Sequence, residues 1–206
     1  MELGQALVHT GASAGDVAFA GSGEPTWPDE FPRALALARS LTGALRATRD
    51  RHLPIRVFTS GVTLDREPVA DALVDLVVGG DGEAWVKLDA WDEPTHRAAW
   101  GTQGQAAHER RLASLARRSP IVVQTMLVHR EGGPGVDETA AGLAGALGRL
   151  LLDGARIDRV VLTTLFRAPG APGHPLSPYS TPQMTRVATE LGRVGIVVQL
   201  PARPVR

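Results

Sequence analysis

Short apolar runs and amphipathic stretches take turns along this chain, and that alternation restricts it to few architectures. Val17-Ala18-Phe19-Ala20, Ile55 to Thr59, Trp85 to Asp89, Ile121 to Val128, Arg159 to Leu165 and Gly195 to Leu200 read as strands. Asp29 to about Arg49, Asp65 to about Leu76, Ala106 to Arg118, the stretch opening at Asp137 and the stretch from Thr181-Pro182 to Leu191-Gly192 read as helices. Strand and helix in regular succession predict parallel βα units. Ile121 to Val128, interrupted only by Gln124 and Thr125, has the apolar continuity of a strand covered on both faces.

Glu2 to His9 reads as the end of a short helix, with residues 10–15 a loop into the first strand. An opening helix with no strand before it fits a barrel missing its first βα unit. The expected fold is therefore α/β: a partial TIM-type (β/α) barrel lacking the first strand, in a single domain spanning 1–206, with 1–15 as leading helix and loop and 201–206 as a tail.

Local signals refine the elements. Phe31, Leu35, Ala38, Leu41 and Leu45 fall at helical spacing and predict a stripe that covers the sheet. Asp137 is the expected N-cap of the long helix whose stripe is Leu143, Leu147, Leu150 and Leu151, and Gly154 suits its C′ position. Pro182 suits the start of the last helix. In the strand Trp85 to Asp89, the period of two puts Trp85, Lys87 and Asp89 on one face and Val86 and Leu88 on the other. The apolar pair should face the helices, and Lys87 and Asp89 the barrel interior. The segments His129–Val136 and Arg167–Tyr179 are rich in glycine and proline and read as loops.

Composition excludes some functions. At 206 residues the chain has room for one sizeable core. Its 22 basic and 22 acidic residues cancel, leaving no field that favours nucleic acid or an acidic membrane surface. No apolar run approaches the roughly 20 residues of a membrane helix, and the N-terminus lacks a secretory pattern, so the expected location is the cytoplasm. There is no cysteine, hence no disulfide and no thiolate metal site. The basic residues comprise 21 arginines and the single lysine Lys87. Against an arginine-biased background, that position suits a compact ammonium or a neutralisable amine.

The most informative turn is Gly21-Ser22-Gly23-Glu24-Pro25-Thr26-Trp27, at the carboxyl end of the first strand. Two glycines open the backbone to close approach, and Pro25 holds Glu24 extended at the strand end. Glu24 would accept hydrogen bonds from a ligand ammonium, while N–H groups around Ser22 and Gly23 suit a carboxylate. The alternative is a capped turn. Ligands of parallel sheets sit at the carboxyl ends of the strands, and Ser60, Lys87 with Asp89, Gln124 with Met126, and Thr163 to Arg167 all lie there.

The run Val-Ala-Phe-Ala-Gly-Ser-Gly-Glu-Pro-Thr resembles the second-strand motif of radical S-adenosylmethionine (SAM) proteins, in which a Gly-Gly-Glu type turn holds the amino end of SAM. Val57-Phe58-Thr59-Ser60-Gly61, Val86-Lys87-Leu88-Asp89-Ala90, Val123-Gln124-Thr125-Met126-Leu127 and Val161-Leu162-Thr163-Thr164, followed by Arg167-Ala168-Pro169, match in order. The resemblance implies SAM as ligand, with Gly21, Ser22, Gly23 and Glu24 at its amino-acid end, Asp89 at the ribose hydroxyls, and Lys87 reaching the carboxylate or the ribose. It also implies a [4Fe-4S] cluster that cleaves SAM to a deoxyadenosyl radical acting on a substrate the sequence does not name. Here the chain departs from the family, whose cluster is held by Cys-x3-Cys-x2-Cys.

Three functional readings follow. The first is the SAM-binding core of a radical enzyme whose cysteines would lie in an upstream unit. The second is a non-catalytic barrel that binds SAM, a nucleoside or a partner protein. The third is a barrel enzyme using Lys87 as a Schiff-base or general-base amine. An interior Lys87–Asp89 ion pair is the structural alternative to a ligand role for both residues. Gln124, on an apolar strand, calls for a partner, and Met126 is expected in the core. The histidines at 9, 52, 96, 108, 129 and 174 show no metal-ligand spacing and read as solvated loop residues, and Ser22 and Ser60 have no triad partners. No metal site is expected, and the sheet edge beside Val17–Ala20 should be unpaired and open to association.

Overall fold

The computed structural model describes residues 15–21, 23–49, 52–165 and 176–200. The helix expected over Glu2–His9, the loop at 10–14, Ser22, His9, His174, the connection from Arg167 to residue 175 and the tail at 201–206 lie outside them.

The described residues form eight strands and six helices, in the order β1 (Val17–Phe19), α1 (Phe31–Arg49), β2 (Ile55–Thr59), α2 (Glu67–Val78), β3 (Gly82–Lys87), α3 (Glu93–Trp100), α4 (Gln105–Arg118), β4 (Ile121–Met126), β5 (Val128–Arg130), α5 (Val136–Leu152), β6 (Ile157–Thr163), β7 (Leu176–Pro178), α6 (Thr181–Arg193) and β8 (Val198–Gln199). Six strands form one sheet in the order β1-β2-β3-β4-β6-β8. Every pairing in it is parallel. The α/β partial barrel expected from the alternation is the fold observed. Among the described residues, β1 and β8 are its two edges.

One face of this sheet carries the main core. Ile55, Val57, Ala84, Val86, Leu88, Ile121, Val123, Val160 and Leu162 meet Val69, Leu73 and Leu76 of α2, Leu112 and Leu115 of α4, Leu143 and Leu147 of α5, and Val187 and Leu191 of α6. The helices present these residues at three- and four-residue spacing, which is why they form here and point inward. Leu73 and Leu76 are fully buried, each contributing roughly 1.5–3 kcal/mol by removal from water.

Several sequence expectations need correction. The stripe of α1 holds at Phe31, Leu35 and Ala38 but fails beyond: Leu41 and Leu45 are exposed. A helix of 19 residues runs roughly 28 Å, whereas a strand of five residues runs roughly 16 Å, so the last turns overhang the sheet. The N-cap of α5 is Gly135, not Asp137, whose carboxylate instead pairs with Arg186 of α6. Gly154, at φ +81°, does follow the helix end in the left-handed conformation expected. The strand expected from Ile121 to Val128 stops at Met126, and Val128 opens β5. Both glycine- and proline-rich loops contribute a strand, since β5 pairs antiparallel with β7 (Val128↔Pro178, Arg130↔Leu176). His129 stacks on Tyr179 in this ribbon, with ring centroids 4.3 Å apart.

Candidate functional site

Strand residues that do not enter the main core point to the opposite, inner face and stack there in three layers, the arrangement of a barrel interior. Nearest the amino ends of the strands is an ionic layer. Arg56 binds Asp16 at 2.6 Å, and Arg159 binds Glu83 at 2.8 Å. Burial acts to raise the pKa of Glu83, but hydrogen bonds from Arg159 and the Trp85 indole outweigh it and hold the carboxyl below its ordinary range. The middle layer is apolar: Phe58, Trp85, Val122 and Val161. Arg56 and Arg159 flank the Trp85 ring at 5.7 and 5.4 Å, tying the lower layers together. Above this floor, at the carboxyl ends, lie Ser60, Lys87, Asp89, Gln124, Met126 and Thr163.

The turn after β1 is fastened to the end of β2 by one carboxylate. Glu24 Oε1 accepts from the Thr26 N–H (3.2 Å), the Thr26 hydroxyl and the Thr59 hydroxyl (2.7 Å), while Oε2 accepts from the Ser60 N–H (2.7 Å) and the Ser60 hydroxyl. Thr26, fully buried, also meets the Thr63 hydroxyl. Burial acts to raise the Glu24 pKa, but the hydrogen bonds from Ser60, Thr26 and Thr59 prevail and set it below 4.5. A carboxylate has about four lone-pair sites, so this one is fully engaged by the protein. An incoming ammonium would be received here only by displacing one of these hydroxyls. Gly21 and Gly23 are exposed, and a Cβ at either would meet nothing within 4 Å. The fold itself does not demand glycine there, and the backbone stands open.

The end of β3 is organised by a second carboxylate. Asp89 accepts from the Met126 N–H at 2.8 Å and pairs with the Lys87 ammonium at 3.3 Å. Thr125 donates to the Leu88 carbonyl at 2.7 Å, and Thr164 to the Leu127 carbonyl at 2.7 Å. Side-chain staples thus fix the strand ends as a rigid rim. Lys87 also lies over the Trp100 ring, 5.5 Å from its centroid. Gln124 is the direct partner of Lys87 across the β3–β4 pairing, and its half-buried amide has no protein partner among the described residues.

The structure therefore gathers Glu24 with Ser60, and Lys87 with Asp89 and Gln124, at the carboxyl ends of β1 to β4. Met126, expected in the core, is exposed at 37 % on this rim. His96 and His108, expected in solvated loops, are buried on α3 and α4. His108 Nε2 lies 2.8 Å from the Lys87 carbonyl. Burial lowers the His108 pKa, which favours the neutral ring with its N–H donating to that carbonyl. Sequence reasoning missed Trp100 and the hydroxyls of Thr26, Thr59 and Thr63. Thr26 stands in the turn, and Thr59 in the Val57–Gly61 match, that the sequence singled out, but neither hydroxyl had a role assigned to it there.

An iron–sulfur cluster does not fit the residues present: the chain has no cysteine, and among the described residues no group of three His, Asp or Glu side chains is placed to hold a metal ion. No helix among them is long and apolar enough to cross a membrane.

No protein-family model matches the sequence, and no curated protein matches it. Solved structures do match in fold. A domain of pyruvate-formate lyase-activating enzyme from Bacteroides vulgatus ATCC 8482 aligns with a TM-score of 0.57 at 16 % identity, covering 91 % of this chain and 99 % of that one. A radical SAM methyltransferase from Sphaerobacter thermophilus aligns at 0.58 and 19 % identity, covering 96 % of this chain and 53 % of the methyltransferase. SuiB of Streptococcus suis, crystallised with S-adenosylmethionine, aligns at 0.64 and 10 % identity over 87 % of this chain and 38 % of SuiB. The chain thus spans about half the length of the methyltransferase and less than half of SuiB. At these identities the likeness is one of fold, a radical-SAM-like partial barrel core.

Proposed function

We propose that this chain binds SAM, or a closely related adenosyl amino acid, across the carboxyl ends of β1 to β4 on the inner face of the sheet. The observation that carries this reading is the adjacent pair Lys87 and Gln124, an ammonium and an unpartnered amide above the apolar floor of Phe58, Trp85, Val122 and Val161. Such a surface suits a ligand with a carboxylate at one end and an apolar body. The open backbone at Gly21 and Gly23, with Ser22 between them, takes the amino-acid end. Lys87 and Gln124 take the carboxylate or ribose oxygens. Asp89 holds Lys87 in place and offers its remaining lone pairs to a ribose hydroxyl. Glu24 and Ser60 shape the rim between these groups. Two supports stand beside the geometry: the ordered motif matches of the sequence, and a fold shared with a protein crystallised with SAM.

The function so proposed is binding and positioning. Radical chemistry at a cluster is not assigned to these residues. A non-catalytic barrel that binds SAM, a nucleoside or a partner protein is the second reading, favoured by the full engagement of Glu24 by protein donors, which leaves it no lone pair for a ligand ammonium. Catalysis by a Lys87 amine is the least supported, because Lys87 would have to give up both Asp89 and the Trp100 face to act as a nucleophile.

Equilibrium dialysis with labelled SAM and S-adenosylhomocysteine tests the proposal. Saturable binding is expected, weakened roughly 10-fold or more by Lys87→Ala, since hydrogen bonds to charged groups contribute about 1.5–3 kcal/mol. The absence of saturable binding by the folded wild-type chain at millimolar ligand would reject it.

A further inference from the structure

We infer that Trp100 is the wall on which the planar end of the ligand stacks, so that the site selects molecules combining a nucleobase with an anionic tail. The inference rests on the ligand site proposed above and assigns it a residue that no sequence motif marked. Trp100 ends α3, and Gly101, at φ +73°, turns the chain sharply away behind it. Its ring is wedged beside His96 and His108, with centroid distances of 6.4 and 6.5 Å. Both histidines are buried and fixed by backbone contacts: His96 Nδ1 lies 2.9 Å from the Thr102 carbonyl, and His108 Nε2 lies 2.8 Å from that of Lys87. The indole is thus held in place before any ligand arrives.

The ring is half-buried, so part of it stays accessible. Its N–H has no protein acceptor among the described residues, leaving a donor for a base edge. It stands directly over Lys87, the cation of the site, whose ammonium lies 5.5 Å from the ring centroid. A large aromatic exposed only to cover a lysine would leave both features unused. A stacked base uses both: the ring takes the base, and the ammonium moves to an anion on the same molecule. A base without an anion must compete with Lys87 for the ring, so adenosine should bind more weakly than S-adenosylhomocysteine.

The test compares S-adenosylhomocysteine, adenosine and methionine on the wild-type chain, Trp100→Ala and Trp100→Phe, with thermal unfolding of each variant as the control for folding. Base stacking on an aromatic side chain is worth a loss of roughly 10-fold or more on truncation to alanine. Trp100→Ala is expected to weaken S-adenosylhomocysteine and adenosine by that factor and leave methionine unchanged, while Trp100→Phe keeps affinity within about 3-fold. Unchanged affinity for S-adenosylhomocysteine in Trp100→Ala would overturn the role of Trp100 and leave the binding site standing. A uniform loss for all three ligands would also overturn it, marking Trp100 as structural support. No binding by the wild-type chain would remove both readings together.

Discussion

Gly82→Ala is expected to destabilise the fold by about 3 kcal/mol or more, lowering Tm by roughly 6–12 °C in a chain of this size. Gly82 opens β3 and pairs directly with Ile55 of β2. A Cβ built on it would lie 1.9 Å from the Ile55 carbonyl oxygen and 2.9 Å from the Ile55 nitrogen. These are backbone atoms in the middle of the sheet, and Ile55 itself is fully buried, so neither strand yields without breaking the pairing. Gly148→Ala is the matched control. Its Cβ meets nothing within 4 Å, and it lies inside α5, where alanine is favoured over glycine by about 1 kcal/mol. Thermal unfolding of the two variants should therefore move in opposite directions.

The second large effect is expected at Glu24. Glu24→Ala removes the acceptor of five hydrogen bonds and leaves the buried hydroxyls of Thr26 and Thr59 and the Ser60 N–H short of partners. Each unsatisfied buried group costs about 1–3 kcal/mol, and partial rehydration of a half-buried site reduces the sum, so a loss of about 3 kcal/mol is expected. Glu24→Gln keeps one carbonyl oxygen but turns an NH₂ toward hydroxyl and amide donors, so it should recover only part of the loss. The acid dependence has a definite sign. The folded pKa of Glu24 lies below the ordinary glutamate value of 4.5, so its stabilising contribution is complete above that value and disappears as pH falls through the lowered one. Denaturant titrations at neutral pH and at pH near 3 should show the wild-type advantage over Glu24→Gln shrinking in acid. A constant difference across that range would mean that the charge of Glu24 is not what fastens the turn.

The fold was legible because its signals are local and repeated. The strand–helix alternation and the apolar continuity of Ile121–Val123 specify a parallel sheet whatever the details of packing. The alternation of Lys87 and Asp89 with Val86 and Leu88 assigned the two faces of β3, and the observed core and inner face follow it. What was not legible depended on partners distant in sequence. Glu24 reads as an open acceptor until Thr59 and Ser60, 35 and 36 residues on, fill its lone pairs. His108 carries no sign of burial in its own helix, because the groups that cover it, Gly61 and the Lys87 carbonyl, come from the ends of β2 and β3, and His96 is covered by Trp100, Thr102 and His108. Met126 follows an apolar run and looks like core, yet it stands where the strand leaves the sheet. β5 and β7 are three residues each and pair as strands only with one another, which no periodicity reveals.

The most direct test of the central claim is hydrogen–deuterium exchange of the chain with and without S-adenosylhomocysteine. Ligand addition is expected to slow exchange at 21–26, 60–63, 87–91 and 124–127, the carboxyl ends of β1 to β4, and to leave the outer helices α2 and α5 unchanged. Protection confined to the outer helices, or no change at saturating ligand, would contradict a binding site on the inner rim.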